Sequence, residues 1–215
     1  MRLSSLFLIS LSIFAAGTIT AAPTAETEKV RNEKVAAYEV AVQPGATVTV
    51  EGKVPTLLVY STEGTVEVAV EGEKLAKASV RTGDVVFRPA KRQVLKNAGS
   101  SEVRFVRVDF LGAGEPGAAA WGPAGLSSSY KVILENQYAR VYTIGIPAGT
   151  NEPQHTHHDR IVICFQGAQL MHLMPDGRKE PSTLKTGDIV WRNGGTHIGQ
   201  NLGKTDLRAL AVEPK

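Results

Sequence analysis

The sequence predicts an all-β barrel or sandwich, present twice in one chain. Two observations carry this. Short runs such as Tyr38–Val42, Ala46–Val50 and Thr65–Val70 alternate apolar and polar residues at the period of a strand, with Gly, Pro or charge between them and no long amphipathic helix anywhere. The chain also repeats itself: RTGDVVFR at 81–88 matches KTGDIVWR at 185–192, an offset of 104 that also pairs Asn97 with Asn201 and Gly99 with Gly203.

Residues 1–22 read as a secretory signal peptide. Arg2 supplies the positive start, Leu6–Ala16 the apolar core, and Thr20-Ala21-Ala22 a small-residue exit. The apolar run is short for a membrane span, so no span is expected once the signal is removed; a retained anchor is the competing reading. The expected compartment is periplasmic or extracellular. Residues 23–35 are polar and charged, and read as a loose lead-in or a short helix. Strand-type runs fill 36–111. Residues 112–129 are rich in Gly, Ala, Pro and Ser and read as a linker, with Trp121 pinned to a lobe surface. Strands resume at Tyr130 and continue to Lys215.

The 215 residues carry a formal net charge of +3 with no block of Lys or Arg, which argues for solubility and against nucleic-acid binding. The single cysteine, Cys164, excludes an internal disulfide and lies in the apolar run Ile161–Phe165, where it reads as a small buried hydrophobe.

The chemistry gathers in the second copy. His155 and His157 stand two apart, which puts both imidazoles on one side of an extended strand. His197 follows a later strand. Three imidazoles meeting inside a barrel can hold a metal ion, and neutral imidazole suits Zn, Fe, Cu and Ni. All five histidines fall in the second copy; in the repeat register His155 faces Gly52, His157 faces Val54 and His197 faces Gln93. A metal site, if present, therefore belongs to the second copy alone. His158 should point away from its neighbours. His172, on the apolar strand Gln169–Met174, reads as packed or as lining the cavity. Asp84 and Asp188 recur after a glycine in both copies, which argues for turn structure rather than catalysis. Phe87 and Trp191 recur in the same way, as packing residues. Gln200 and Asn201 close the turn after His197.

These residues resemble the motifs of the cupin superfamily, and the repeat resembles its two-domain members, the bicupins. Gly149, His155, His157 and Gly167 fit the first cupin motif; Gly187, Gly195, His197 and Asn201 fit the second. The second copy also resembles small bacterial cupins with a Gly-Thr-His turn near the C-terminus. The resemblance implies two tandem jelly-roll barrels (double-stranded β-helices), the first degenerate at 36–111 and the second, at 130–215, holding one divalent ion, Fe, Mn or Zn. Three departures stand out. Asn193 replaces the motif's proline, the turn before His197 is one residue short, and Arg160 occupies the place of the glutamate ligand. A guanidinium has no lone pair for a metal. Asp159 is the neighbouring candidate for that ligand. Otherwise the site resembles three-histidine centres, in which Arg160 would clamp a substrate carboxylate, with His172 beside it.

Three functional classes stay open: a metal-dependent enzyme of dioxygenase or Lewis-acid type acting on a small acid, a non-catalytic binder of a small ligand, and a structural or storage β-protein of the cell envelope with no site. The fused copies also imply that the monomer contains an internal pseudo-dimer, with a homodimer as the alternative.

Overall fold

The computed structural model describes residues 24–112 and 129–215. The expected leader at 1–22, and Trp121 with most of the expected linker, lie outside them. Every regular element among the described residues is a β-strand.

The first lobe runs β1 (Ala25–Arg31), β2 (Val35–Val42), β3 (Thr47–Val50), β4 (Thr56–Tyr60), β5 (Gly64–Val70), β6 (Ala76–Val80), β7 (Val85–Arg88), β8 (Gln93–Asn97) and β9 (Val103–Phe110). The second runs β10 (Tyr130–Glu135), β11 (Ala139–Ile146), β12 (His155–His157), β13 (Arg160–Gln166), β14 (Ala168–Leu173), β15 (Lys179–Leu184), β16 (Ile189–Arg192), β17 (Gly195–Asn201) and β18 (Leu207–Pro214). Each lobe folds as a five-stranded and a four-stranded antiparallel sheet. The orders are β1-β2-β9-β4-β7 with β3-β8-β5-β6, and β10-β11-β18-β13-β16 with β12-β17-β14-β15. The two orders are the same, so the sequence repeat is a repeat of topology.

Residues expected as a loose lead-in form strand β1, which pairs with β2 from Ala25 opposite Ala41 to Arg31 opposite Ala36. Its alternation is hidden because it is an edge strand: only Val30 is buried. Its charges are used in ion pairs, Lys29 with Glu39 and Glu26 with Arg107. Charged edge strands resist pairing with other chains.

Three apolar clusters hold the described residues together. One fills the first barrel (Val40, Leu58, Tyr60, Leu95, Phe105) and one the second (Tyr142, Ile144, Val162, Leu170, Leu207). The third joins the lobes: Leu57, Val59, Val106 and Val108 pack with Val141, Ile161, Leu210 and Val212. Strands β4, β13 and β18 therefore bury both faces, which explains why TLLVY and IVICF read as continuous apolar runs rather than alternating ones. Phe87 stacks on Tyr138 across this interface at 5.7 Å, and Trp191 packs against the same cluster, in the packing roles expected of them.

The repeated Asp and Asn residues are structural. Asp84 Oδ2 accepts from Arg81 N and Asp188 Oδ2 from Lys185 N, each at 2.8 Å. The glycines just before them have φ of +90° and +91°, a region that only glycine enters cheaply. Asn97 and Asn201 each donate to two backbone carbonyls and accept from the glycine two residues on. Cys164 is buried, and burial pushes its thiol up to about 11.

Because one core serves both lobes, they are expected to unfold together. Leu57→Ala and Ile161→Ala should each cost ~2–5 kcal/mol, the usual range for truncating a large core residue. Denaturant titration followed by circular dichroism and by tryptophan fluorescence should give one coincident transition for each variant. Two separate transitions would show that the lobes are independent.

Candidate metal centre

Strand alternation builds the site. In β12, His155 and His157 are buried and Thr156 between them is exposed. Antiparallel pairing with β17 sets His155 directly opposite His197. The Nε2 atoms of His155 and His157 are 2.8 Å apart. One ring nitrogen from each of the three histidines lies within 4.8 Å of the others, a group that can hold a metal ion. Burial keeps the rings neutral: it holds His155 and His157 below the usual histidine range and pushes His197 down to about 3. His155 Nδ1 lies 2.8 Å from Pro153 O, so Nδ1 carries the proton and Nε2 presents its lone pair to the site. The donor set is thus three neutral imidazoles at bridging distance, which fits a divalent transition metal.

A cavity of about 50 Å³ opens beside them, room for a few water-sized groups. Its polar walls include Tyr130, Glu152, His157, Arg160, His172 and His197. Arg160 is buried; its Nη1 donates to His158 O at 3.1 Å, while Nε has no partner among the described residues. His172 stacks on His197 with ring centroids 4.4 Å apart, and so lines the cavity without joining the three-nitrogen group. Asp159 does not join it either. The carboxylate is exposed, and Oδ1 accepts from Gly194 N at 2.6 Å, which ties the loop after β12 to the turn before β17. His158 is exposed, as strand alternation requires.

Two residues escaped the sequence reading. Glu152 is buried with its carboxylate in the cavity wall; Oε2 accepts from Tyr130 Oη at 3.1 Å. Burial raises its pKa above the ordinary value. The side chain fits because residue 199 is glycine: a Cβ there would meet Glu152 Oε2 at 2.4 Å. In the first lobe Val48 pairs with Leu95, and in the repeat register those two positions become Glu152 and Gly199. The exchange of an apolar pair for Glu and Gly was the available signal. Likewise Tyr130, opposite Ile144, takes the place of Glu26, opposite Val40.

The strand pairing also shifts one comparison. Val50, not Gly52, is the residue opposite Gln93, as His155 is opposite His197. The second lobe holds one more residue between Asn151, bridged to Gln200, and His155. At the first lobe's equivalent mouth the charged groups pair, while Gln93, at the place of His197, is buried with neither polar side-chain atom partnered among the described residues. Arg107 binds Glu26 at 2.8 Å and Asp109 at 3.0 Å and lies 4.3 Å over the Tyr38 ring.

Behind the site, Tyr142 Oη lies 3.3 Å from His157 Nδ1 and donates to Glu213 Oε1 at 3.0 Å. Burial pushes the Glu213 carboxyl up to about 7, opposed by Tyr142, Arg140 and Arg160. A folded-state value above the unfolded 4.5 means that its contribution is complete below that value and is lost as pH rises through about 7. Wild-type stability relative to Glu213→Gln should therefore fall by roughly 1–3 kcal/mol between about pH 5 and about pH 8. Denaturant titration of both proteins across that range checks this, and parallel profiles would refute it.

No protein-family model and no curated protein matches the chain in sequence. Solved structures do match in shape. AerE from Microcystis aeruginosa superposes with a TM-score of 0.65 at 12% identity, over 88% of this chain and 97% of its own. A cupin 2 conserved barrel domain protein from Leptotrichia buccalis gives 0.60 at 13%, over 92% of both chains. A variant of oxalate decarboxylase from Bacillus subtilis gives 0.61 at 14%, over 91% of this chain and 78% of its own. Likeness at such low identity speaks to architecture, and with the repeated sheet order it shows that this chain has the cupin fold, as two jelly-roll barrels in tandem.

Proposed function

We propose that the second lobe binds one divalent metal ion through His155, His157 and His197, and that a small carboxylic acid binds beside it against Arg160. The observation that carries this reading is the meeting of three neutral imidazoles at a small cavity walled by a buried guanidinium. A bound ion of this kind acts as a Lewis acid or, if iron, as a site for oxygen chemistry. The chain's own groups do the rest. Arg160 Nε offers a donor with no partner among the described residues. Arginine pairs with carboxylate in a bidentate manner, which orients the acid. His172, stacked on His197, lines the same cavity. The buried walls keep water few and strengthen each charge contact.

The metal is Fe, Mn or Zn on donor chemistry; the oxalate decarboxylase neighbour is described with Mn(II) centres. An enzyme is the first reading. The second, a non-catalytic binder, is favoured by one observation: no carboxylate of the described residues joins the three nitrogens. Export to the periplasm or beyond rests on the leader-like residues 1–22. Sequencing the N-terminus of protein recovered from the periplasm or medium tests it, with a start near Pro23 expected and retention of Met1 contradicting it.

Elemental analysis of tag-free protein should find near-stoichiometric metal, lost in the His155→Ala/His157→Ala double variant. Arg160→Met should keep the metal yet bind acetate, oxalate or malonate about 10–100-fold more weakly by calorimetry, the worth of a lost charge-assisted pair. No metal after loading with Fe(II), Mn(II) or Zn(II) would overturn the reading. Unchanged carboxylate binding in Arg160→Met would remove the clamp.

A further inference from the structure

We propose that Tyr130 is a fourth protein ligand of this centre, supplying the oxygen that Arg160 cannot. The proposal rests on the three-histidine reading above and adds a residue from a different strand, β10. Tyr130 Oη lies 3.4 Å from His155 Nε2 and 3.4 Å from His157 Nε2. Two atoms bound to one ion by bonds near 2.1 Å stand roughly 3.0–3.4 Å apart when the angle between them is about 90–110°. Tyr130 Oη meets that spacing with both imidazoles at once. A plain hydrogen bond from a hydroxyl to one ring would be shorter and would favour one ring over the other.

The hydroxyl is also oriented for the task. It donates to Glu152 Oε2 at 3.1 Å, so the O–H points away from the histidines and the oxygen lone pairs face them. The ring is fixed among theirs, with centroids 5.6 Å from His155 and 5.4 Å from His157. On coordination the phenol O–H bond breaks, its proton forms a carboxyl O–H on Glu152, and the phenolate oxygen binds the ion. Charge and atoms balance within the pair. Glu152 is placed to receive that proton by Gly199, whose missing side chain leaves its space.

The repeat supports the assignment independently. Where the first lobe lacks histidine it also lacks this device: Glu26 stands at the position of Tyr130, Val48 at that of Glu152 and Leu95 at that of Gly199. Ligand histidines and the tyrosine–glutamate pair occur together in one lobe and are absent together from the other.

The test uses iron as the probe. Tag-free protein is loaded with Fe(II) without oxygen, oxidised with ferricyanide, and examined by visible absorption and resonance Raman. A tyrosinate-to-iron charge-transfer band with phenolate ring modes is expected in the wild type. Tyr130→Phe should lose both and bind Zn(II) at least about tenfold more weakly, the range seen when a supporting group of a metal site is removed. Tyr142→Phe should keep the band, because that hydroxyl faces His157 Nδ1 rather than Nε2. Bound iron without the band, or a band that survives in Tyr130→Phe, overturns the assignment and leaves the three-histidine centre standing. Failure to bind iron, Mn(II) and Zn(II) alike overturns both; if Zn(II) binds and iron does not, an unchanged Zn(II) affinity in Tyr130→Phe overturns the assignment alone. The wild-type Raman spectrum decides the matter even if Tyr130→Phe does not fold.

Discussion

The shared apolar face between the two five-stranded sheets is the constraint on which the rest of the molecule depends. Each sheet must bury its second face, and here each does so against the other lobe, through Leu57, Val108, Ile161 and Val212. With those faces closed, the four-stranded sheets are left on the outside of the pair. The second lobe's histidines come from that sheet, on β12 and β17. Strand β13 links the two regions. Ile161 faces the interlobe core, while Arg160, one residue earlier, faces the cavity. The stability of the fold and the position of a cavity charge are thereby fixed by one strand.

The duplication shows how one scaffold takes two electrostatic solutions. In the first lobe Arg107, Glu26 and Asp109 neutralise one another, and Arg107 covers the Tyr38 ring. In the second lobe Arg107's place is taken by Ala211, opposite Tyr142 as Arg107 is opposite Tyr38, and the guanidinium sits instead at Arg160, where Thr56 stands in the first lobe. The same change of occupants leaves three neutral imidazoles and a buried cation at one small cavity. Burying an unpaired charge costs several kcal/mol. Glu213 offsets part of that charge, while the Arg160 Nε still has no hydrogen-bond partner among the described residues.

Much of this was legible in the chain. Alternation and the 104-residue repeat announced the paired all-β lobes. The i, i+2 spacing of His155 and His157 announced one face of a strand, and His197 its partner. Strand β1 was not legible, because an edge strand with one buried residue shows charge rather than period. Asp159 adjoins the ligand pair in sequence, but adjacency says nothing of loop direction, and its carboxylate is held by Gly194 N outside the three-nitrogen group. Glu152 and Tyr130 were hidden for the opposite reason. They reach the site from β10 and from the segment before β12, and only strand pairing shows that Gly199 makes room for the carboxylate.

The most direct test of the central claim is anomalous diffraction, at the metal absorption edge, from crystals of the tag-free protein loaded with Zn(II) or Mn(II). One strong peak per chain is expected about 2.0–2.2 Å from a ring nitrogen of each of His155, His157 and His197. A peak elsewhere, or none at the three histidines under saturating metal, would contradict it.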